Sequence, residues 1–341
     1  MTGPNDPGGG DGSGWGCRLH GLDLLTQVDL HTRRPRTADG ADVRVDLGHP
    51  VPSTTRVPAG HLTAQWSTDS GLTASFVRRA DGSHLLSFES TCDVVVDSRA
   101  ERVTLHMVDG VPDAMGAVIV GGTVLAYLLM LRGETVLHAS AVDVGGRAVA
   151  FIGSSGMGKT TLATLMCRDS GLLITDDVLR LGRRADGLDA CALGATELRL
   201  RASAAGLSDE FAEGVSDRLT ADHRRALGVP AATEDGVPLA AMVIPRPRRD
   251  SSELTLTRLR PTAAAMSLLS FPRILGIRDE RMLAAQFDQM VDLGGRVPVF
   301  VADVPWGPPF RTDLSSQLLD ALRAQGVGCG APAMSVCDWR R

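Results

Sequence analysis

The chain has 341 residues, of which 43% are hydrophobic and 22% charged, and its formal net charge is −5 at pH 7. At roughly 150 residues per domain that length suits two domains, or one with a large appendage, with apolar content enough for a substantial core. Mild acidity and the lack of any Lys/Arg stripe exclude nucleic acid as an expected partner. The cysteines (Cys17, Cys92, Cys167, Cys191, Cys329, Cys337) are scattered, form no C-x-x-C pair and read as reduced thiols of a cytoplasmic protein.

The opening stretch, MTGPNDPGGGDGSGWGC, has neither a basic n-region nor an apolar h-region, so no signal peptide is expected, and residues 1–16 read as a disordered tail. Residues 17–113 form a β-rich domain. ADVRVDL (41–47), LTASFVRR (72–79), HLLSFES (84–90), CDVVVDS (92–98) and RVTLHMV (102–108) alternate or run in β-branched residues between turn signals. Such close spacing predicts an antiparallel sheet or small barrel, a platform on which an acceptor would sit. AMGAVIVGGTVLAYLLML (114–131) is uncharged and as long as a membrane span. Its three glycines and the fold that follows favour a buried connecting helix over 114–132, with no membrane partner.

Residues 133–341 make up the second predicted domain. VLHASAVDV (136–144) and RAVAFI (147–152) flank Gly145-Gly146 as a hairpin. The second of these strands runs into FIGSSGMGKTTL, a full match to G-x-x-x-x-G-K-[ST]. Gly153, Gly156 and Gly158 permit backbone angles that turn successive N–H groups inward on an anion, with Ser154, Ser155 and Met157 completing the loop. The helix opening near Thr160 and Thr161 adds its dipole and free N–H donors. Lys159 would reach the β- and γ-phosphates of ATP, and the Thr160 hydroxyl would hold Mg²⁺. Lysine is nearly absent from the chain, which sets Lys159 apart.

Downstream the pattern predicts a helix to about 169 and a short strand, LLIT (172–175), running into Asp176-Asp177. A largely helical polar stretch over 196–229 follows, then strands at 238–245 and 253–261. A long amphipathic pattern covers 262–294, and a strand at 296–305 and a helix at 312–325 close the chain. If the LLIT strand lies beside the loop strand, both carboxylates emerge at the sheet's C-terminal edge, where α/β sheets hold ligands. One carboxylate would then serve Mg²⁺ and the other accept a proton from an incoming hydroxyl. An Asp-Asp turn without chemistry is the bland alternative. His138 sits one hairpin strand away and is either a core histidine or an active-site one.

Over about 131–181 the run L-H-A-S-A-V, G-x-x-G-x-G-K-T-T-L and L-L-I-T-D-D-V resembles the HPr kinase/phosphorylase superfamily. It is most similar to the HPr-kinase-like proteins of bacterial peptide-modification clusters, some of them lasso-peptide kinases. The preceding GGTVLAYLLMLRG (121–133) fits the same likeness. The resemblance implies an α/β fold of the HPr kinase and phosphoenolpyruvate carboxykinase type, with ATP and Mg²⁺ as cofactors. It implies Lys159 as the phosphate lysine and Thr160 as the magnesium hydroxyl. Asp177 would be the proton acceptor, Asp176 the metal-side carboxylate, and His138 the auxiliary histidine. The family's further metal glutamate is nearest matched by Glu197 in T-E-L-R-L-R, in a degraded motif. Its mobile-loop arginine corresponds to Arg246, Arg248, Arg249 or Arg273, and the sequence does not choose among them. The second signature of the bifunctional enzymes, tied to phosphorolysis, is missing. The resulting expectation is an ATP-dependent phosphotransferase acting on a Ser/Thr hydroxyl of a peptide or small protein. A small-molecule kinase and a nucleotide switch are the rivals, and whether the chain is a homo-oligomer is left open.

Overall fold

The computed structural model describes residues 14–67, 71–211 and 215–328, which divide into two compact units. The first comprises residues up to Val124 together with Leu275–Asp279; the second comprises Leu125–Ile274 and the chain from Glu280 onward. The boundary therefore falls inside the expected connecting helix, and a short return segment belongs to the first unit.

Among its described residues the first unit holds an eight-stranded sheet: β1 (Trp15–Leu19), β2 (Leu22–Thr26), β3 (Val43–Leu47), β4 (His61–Ser67), β5 (Thr73–Arg78), β6 (His84–Phe88), β7 (Cys92–Val96) and β8 (Arg102–Met107). Their order is β1-β2-β3-β8-β7-β6-β5-β4. The expected all-antiparallel sheet is corrected by two parallel pairings, β2 with β3 and β3 with β8. Trp15 and Gly16, assigned to the tail, instead lie in β1 and pair with Thr26 and Leu25; residues 1–13 of that expected tail lie outside the described residues. Alternation buries Val43 and Val45 of β3, Val94 and Val96 of β7, and Val103 and Leu105 of β8. Phe76 is fully buried, with Trp66 and Phe88 edge-on at 5.0 and 5.5 Å between ring centroids. The outer side of β4 is covered by the return segment. Gln65 N donates to Gly276 O (2.9 Å), and Arg278 N donates to Thr63 O (2.7 Å). Gly276 has φ +58, and a Cβ there would meet Gln65 O, so only glycine passes so close to the strand edge.

The expected apolar helix runs without a break over Asp113–Leu131, but it is not α-helical throughout. α1 (Asp113–Ile119) leads through a π-helical stretch, Val120–Val124, into α2 (Leu125–Leu131). Gly121 and Gly122 fall in the widened turn, where glycine tolerates the altered backbone. By length and composition the 19 residues Asp113–Leu131 suffice to cross a membrane, and half of that stretch is buried inside the protein. Leu125 to Leu129 are fully buried.

The second unit is built on β9 (Thr135–Leu137), β10 (Ala139–Asp143), β11 (Ala148–Ile152), β12 (Leu172–Thr175), β13 (Leu179–Arg183) and β14 (Asp189–Cys191). A separate three-stranded sheet follows from β15 (Glu197–Leu200), β16 (Asp217–Leu219) and β17 (Arg225–Gly228). The main sheet is completed by β18 (Val237–Arg248), β19 (Thr255–Arg258) and β20 (Val299–Pro305). Its helices are α3 (Lys159–Arg168), α4 (Pro261–Leu269), α5 (Glu280–Arg296) and α6 (Leu314–Ala324). The hairpin of β10 and β11 turns at Gly145 and Gly146, both at positive φ, as the tight turn requires. β11 lies between β10 and β18, β12 flanks β10, and β20 runs parallel to β18 on its far side. Alternation along β11 sends Val149 and Phe151 to the α3 and α6 face and Ala150 and Ile152 to the α4 and α5 face.

Two expectations are corrected here. The helical reading of 196–229 fails: the described part is β15, a 3-10 helix (Ala202–Glu210), β16 and β17. Its charged residues hid a period of two, in which Leu198 and Leu200 are buried while Glu197 and Arg199 face away from that core. The amphipathic run over 262–294 is broken after Leu269, where Pro272 forbids a continuing ladder. Cys17, Cys92, Cys167 and Cys191 are buried free thiols, and burial pushes Cys17 and Cys92 up to about 12. Cys329 and Cys337 lie outside the described residues.

Phe76→Ala should remove about 3–5 kcal/mol of the first unit's stability, the usual cost of emptying a buried phenylalanine site. Urea unfolding followed by far-ultraviolet circular dichroism checks this, and an unchanged midpoint would contradict the packing of Trp66 and Phe88 around it.

Candidate active site

The glycine loop lies where its sequence predicts, between β11 and α3. Gly156 and Gly158 sit at φ +88 and +89, angles that side chains rarely adopt, and Gly158 directly precedes the first turn of α3. A Cβ on Gly158 would run into the Trp306 indole, so close approach as well as backbone angle demands glycine there. Lys159 is only 6% exposed and its Nζ donates to the Ser154 carbonyl (3.0 Å), curling back over the loop. It is also the only lysine in the whole chain. Burial lowers it to about 8, against the opposing pull of the Asp176 and Asp177 carboxylates.

Asp176 and Asp177 follow directly on β12, which runs parallel to β11 two strands away across β10. Both side chains enter the cleft beside the loop. Asp176 is buried and accepts three hydrogen bonds. Ser140 and Thr160 hydroxyls donate to its Oδ1 (2.6 and 2.9 Å), and the Arg199 backbone N–H donates to its Oδ2 (3.0 Å). Asp177 sits at φ +73 in a turn where Val178 N donates to Asp176 O (3.0 Å), a positive-φ γ-turn that costs about 1–3 kcal/mol of strain. Its Oδ2 accepts from the guanidinium groups of Arg199 and Arg273, each at 2.8 Å, and its Oδ1 lies 3.3 Å from His138 Nε2. Burial alone would raise Asp177, but the Arg273 charge, the His138 contact and Arg199 outweigh it and hold the carboxyl well below the usual range. His138 moves down from its ordinary value, chiefly because it is buried, so the ring is neutral at pH 7 and donates through Nε2.

His138 occupies the point where one extended run changes partners. β9 before it pairs with β13, while β10 after it pairs with β11 and β12. The hairpin register sets Ala139 opposite Ile152, which brings His138 level with Gly153. The cleft these groups line encloses about 680 Å³ including its open mouth. His138, Ser155, Gly156, Gly158, Lys159, Thr160, Thr161, Asp176 and Asp177 all line it. Ser154 is exposed, and Gly153 and Met157 carry the loop from beneath, where Met157 packs against the α4 and α5 core.

Glu197 does not join them. It faces Arg218, whose guanidinium donates to both carboxylate oxygens (3.1 and 2.7 Å), and it does not line the cleft. Of the four loop arginines, Arg273 alone reaches the carboxylate pair. Arg246 pairs with Asp303 (2.6 Å), Arg248 with Asp250 (2.9 Å), and Arg249 is exposed after β18. Sequence reasoning missed Arg199 and Arg201 on and after β15; Arg201 donates to the Ser155 hydroxyl of the loop. Their signal was the two-residue spacing in E-L-R-L-R, which puts both arginines on one strand face. Ser140, two residues past His138 in the same extended run, was findable by the same rule. Thr160 Oγ1 and Asp176 Oδ1 supply adjacent hard oxygen donors beside the glycine loop, a donor set that would suit Mg²⁺. Among the described residues no group of three His, Cys, Asp or Glu side chains is placed to hold a metal unaided.

Because Lys159 is the sole lysine, an amine-acylating ester should modify one lysine side chain in the folded protein. The rate should rise with pH about a midpoint near 8, where burial places the amine, and not near the ordinary lysine value of about 10.4. Peptide mass mapping after labelling between pH 6.5 and 10 reads this, and a midpoint above 10 would refute the burial effect.

No family model matches the chain, and no curated protein matches it. Among solved structures, the HPr(Ser) kinase/phosphatase from Coxiella burnetii is similar at 12% sequence identity, over 56% of this chain and 96% of that one, with a TM-score of 0.29. At that score the likeness carries no argument about this chain.

Proposed function

We propose that the second unit is an ATP-dependent phosphotransferase that moves the γ-phosphoryl group to a hydroxyl acceptor, with a Ser/Thr side chain of a peptide or small protein as that acceptor. The observation that carries this reading is convergence. Lys159, Thr160, Asp176 and Asp177 belong to two separate strand ends and meet in one cleft at the C-terminal edge of the sheet.

The geometry supports one set of roles. The loop amides and the α3 N-terminus receive the phosphates, and Lys159 contributes charge within reach of their outer oxygens. Mg²⁺, held by Thr160 and Asp176 with phosphate oxygens, would neutralise negative charge on the β- and γ-phosphates. Asp177 accepts the acceptor's proton as its oxygen bonds to the γ-phosphorus; the bond from that phosphorus to the β–γ bridging oxygen breaks, and ADP leaves with that oxygen. A carboxylate held low by Arg273 and Arg199 takes the proton late. That timing suits a loose transition state, in which the nucleophile has barely bonded when the leaving group departs. Arg199, Arg273 and neutral His138 orient Asp177 and maintain its strained turn.

Asp176 carries structural weight that would blur its own test. In Asp176→Asn the amide oxygen can keep the Arg199 N–H, but the NH₂ group then faces the Ser140 and Thr160 hydroxyls, which must reverse from donors to acceptors, so packing and metal binding change together. Asp177→Asn keeps the shape and an amide oxygen for the Arg199 and Arg273 guanidinium groups while removing the proton acceptor, and because it also removes their charge partner its fold is checked first. It should leave MgATP affinity within about threefold while cutting phosphate transfer by about 10²–10⁴-fold, the usual worth of a positioned base. Calorimetry with MgATP and mass spectrometry of the acceptor measure the two effects, with circular dichroism confirming the fold. Transfer at the wild-type rate in Asp177→Asn would overturn the mechanism. Failure of the wild-type protein to bind MgATP would overturn the nucleotide reading itself.

A further inference from the structure

The C-terminal edge of the main sheet carries its chemistry in a fixed lateral order. Across β12, β10, β11, β18 and β20 lie the carboxylate pair, His138, the glycine loop, the end of β18 and Trp306. The proton-accepting side chains therefore lie to one side of the loop strand, and Trp306 lies to the other, two strands over and beyond the level at which β11 ends. Asp177 and Trp306 line the same cleft, so a nucleotide laid along it with its γ-phosphate at Asp177 would direct its remaining atoms toward β20.

What waits there differs in kind from the rest of the cleft wall. The Asp177 side is hydroxyl, carboxylate and guanidinium, whereas Trp306 and Phe310 bring the two large apolar rings of the lining. Only 4% of the chain is aromatic, so two such rings in one cleft mark a concentration. The rings stand edge to face, 5.2 Å between centroids at 86°, which holds the indole in one orientation. The Trp306 backbone N–H donates to Arg248 O (2.9 Å), which fixes the residue to the end of β18. The indole also lies against Gly158, so the aromatic surface begins where the phosphate loop ends. Nothing in the phosphate or acceptor chemistry uses these rings.

We propose that Trp306 and Phe310 form the nucleobase subsite of this cleft, on which the base stacks while the triphosphate runs along the loop toward Asp177. The proposal rests on the nucleotide reading above and adds the element that distinguishes a nucleotide from a bare polyphosphate. Stacking on aromatic rings is tolerant of base identity, so purine nucleotides should bind alike unless another group discriminates between them.

The test compares MgATP with magnesium tripolyphosphate by calorimetry on wild type, Trp306→Ala, Trp306→Phe and Phe310→Ala, each checked for fold by circular dichroism. Trp306→Ala should weaken MgATP about 10- to 100-fold, the loss expected for one stacked base, and Trp306→Phe should lose about threefold or less. Tripolyphosphate affinity should stay within about threefold of wild type in every variant, because it has no base to stack. Equal losses for both ligands in Trp306→Ala would overturn the proposal by making the indole a mere support for Gly158. Unchanged MgATP affinity in Trp306→Ala would also overturn it, as would wild-type protein that binds tripolyphosphate as tightly as MgATP; in those cases the loop reading survives. Wild-type protein that binds neither ligand would remove the nucleotide reading and this proposal together. Should Trp306→Ala fail to fold, Phe310→Ala decides: selective loss of MgATP affinity supports the subsite, and parallel loss or no loss refutes it.

Discussion

The second unit depends on one buried carboxylate. Asp176 draws hydrogen bonds from Ser140 of β10, Thr160 of α3 and the Arg199 backbone of β15, and so ties three separate elements to the end of β12. A buried carboxylate left without such donors would be prohibitively costly, so the three bonds are a condition of its burial as well as a consequence. They bring the glycine loop, the small three-stranded sheet and the strand edge to one point. The neighbouring Asp177 can then occupy a γ-turn that free peptide would avoid, because Arg199, Arg273 and His138 hold its side chain from three sides.

Positive charge dominates the cleft around that point. Lys159, Arg199, Arg201 and Arg224 line it together with two carboxylates, Arg273 adds its charge through Asp177, and Arg224 is itself paired with Asp222. An excess of cations in a half-enclosed site favours an anion and concentrates it there. Burial of Lys159 trims one of those charges near pH 8, a cost that a bound polyphosphate would reverse by favouring the ammonium form. Cationic walls, glycine amides and a helix N-terminus thus act in the same direction.

The first unit follows a different logic. Its eight-stranded sheet packs Phe76 between Trp66 and Phe88, and the return segment at 275–279 covers the exposed edge of β4. Covering that edge removes a template for unwanted strand pairing. The chain uses a distant stretch to do this, which no local pattern in β4 announces.

The sequence by itself determined the glycine loop between β11 and α3, since glycine spacing, a following lysine and flanking apolar runs are local properties that few structures satisfy. It also determined the hairpin of β10 and β11 from Gly145-Gly146, and the short β12 that delivers Asp176 and Asp177, because turn residues and β-branched runs act over a few positions. Only the tertiary structure decided which charges meet. Arg273 lies 96 residues from Asp177 and Arg199 lies 22 away, and no spacing links them. Glu197 carried the motif position, yet Arg218, on β16 of the same small sheet, claims its carboxylate. The same holds for Trp306, whose place beside Gly158 follows from strand order across β11, β18 and β20, a property of nonlocal pairing. Residues 196–229 were misjudged because arginine and acidic side chains mask strand alternation, and burial of Leu198 and Leu200 against α3 settled the question in favour of strand.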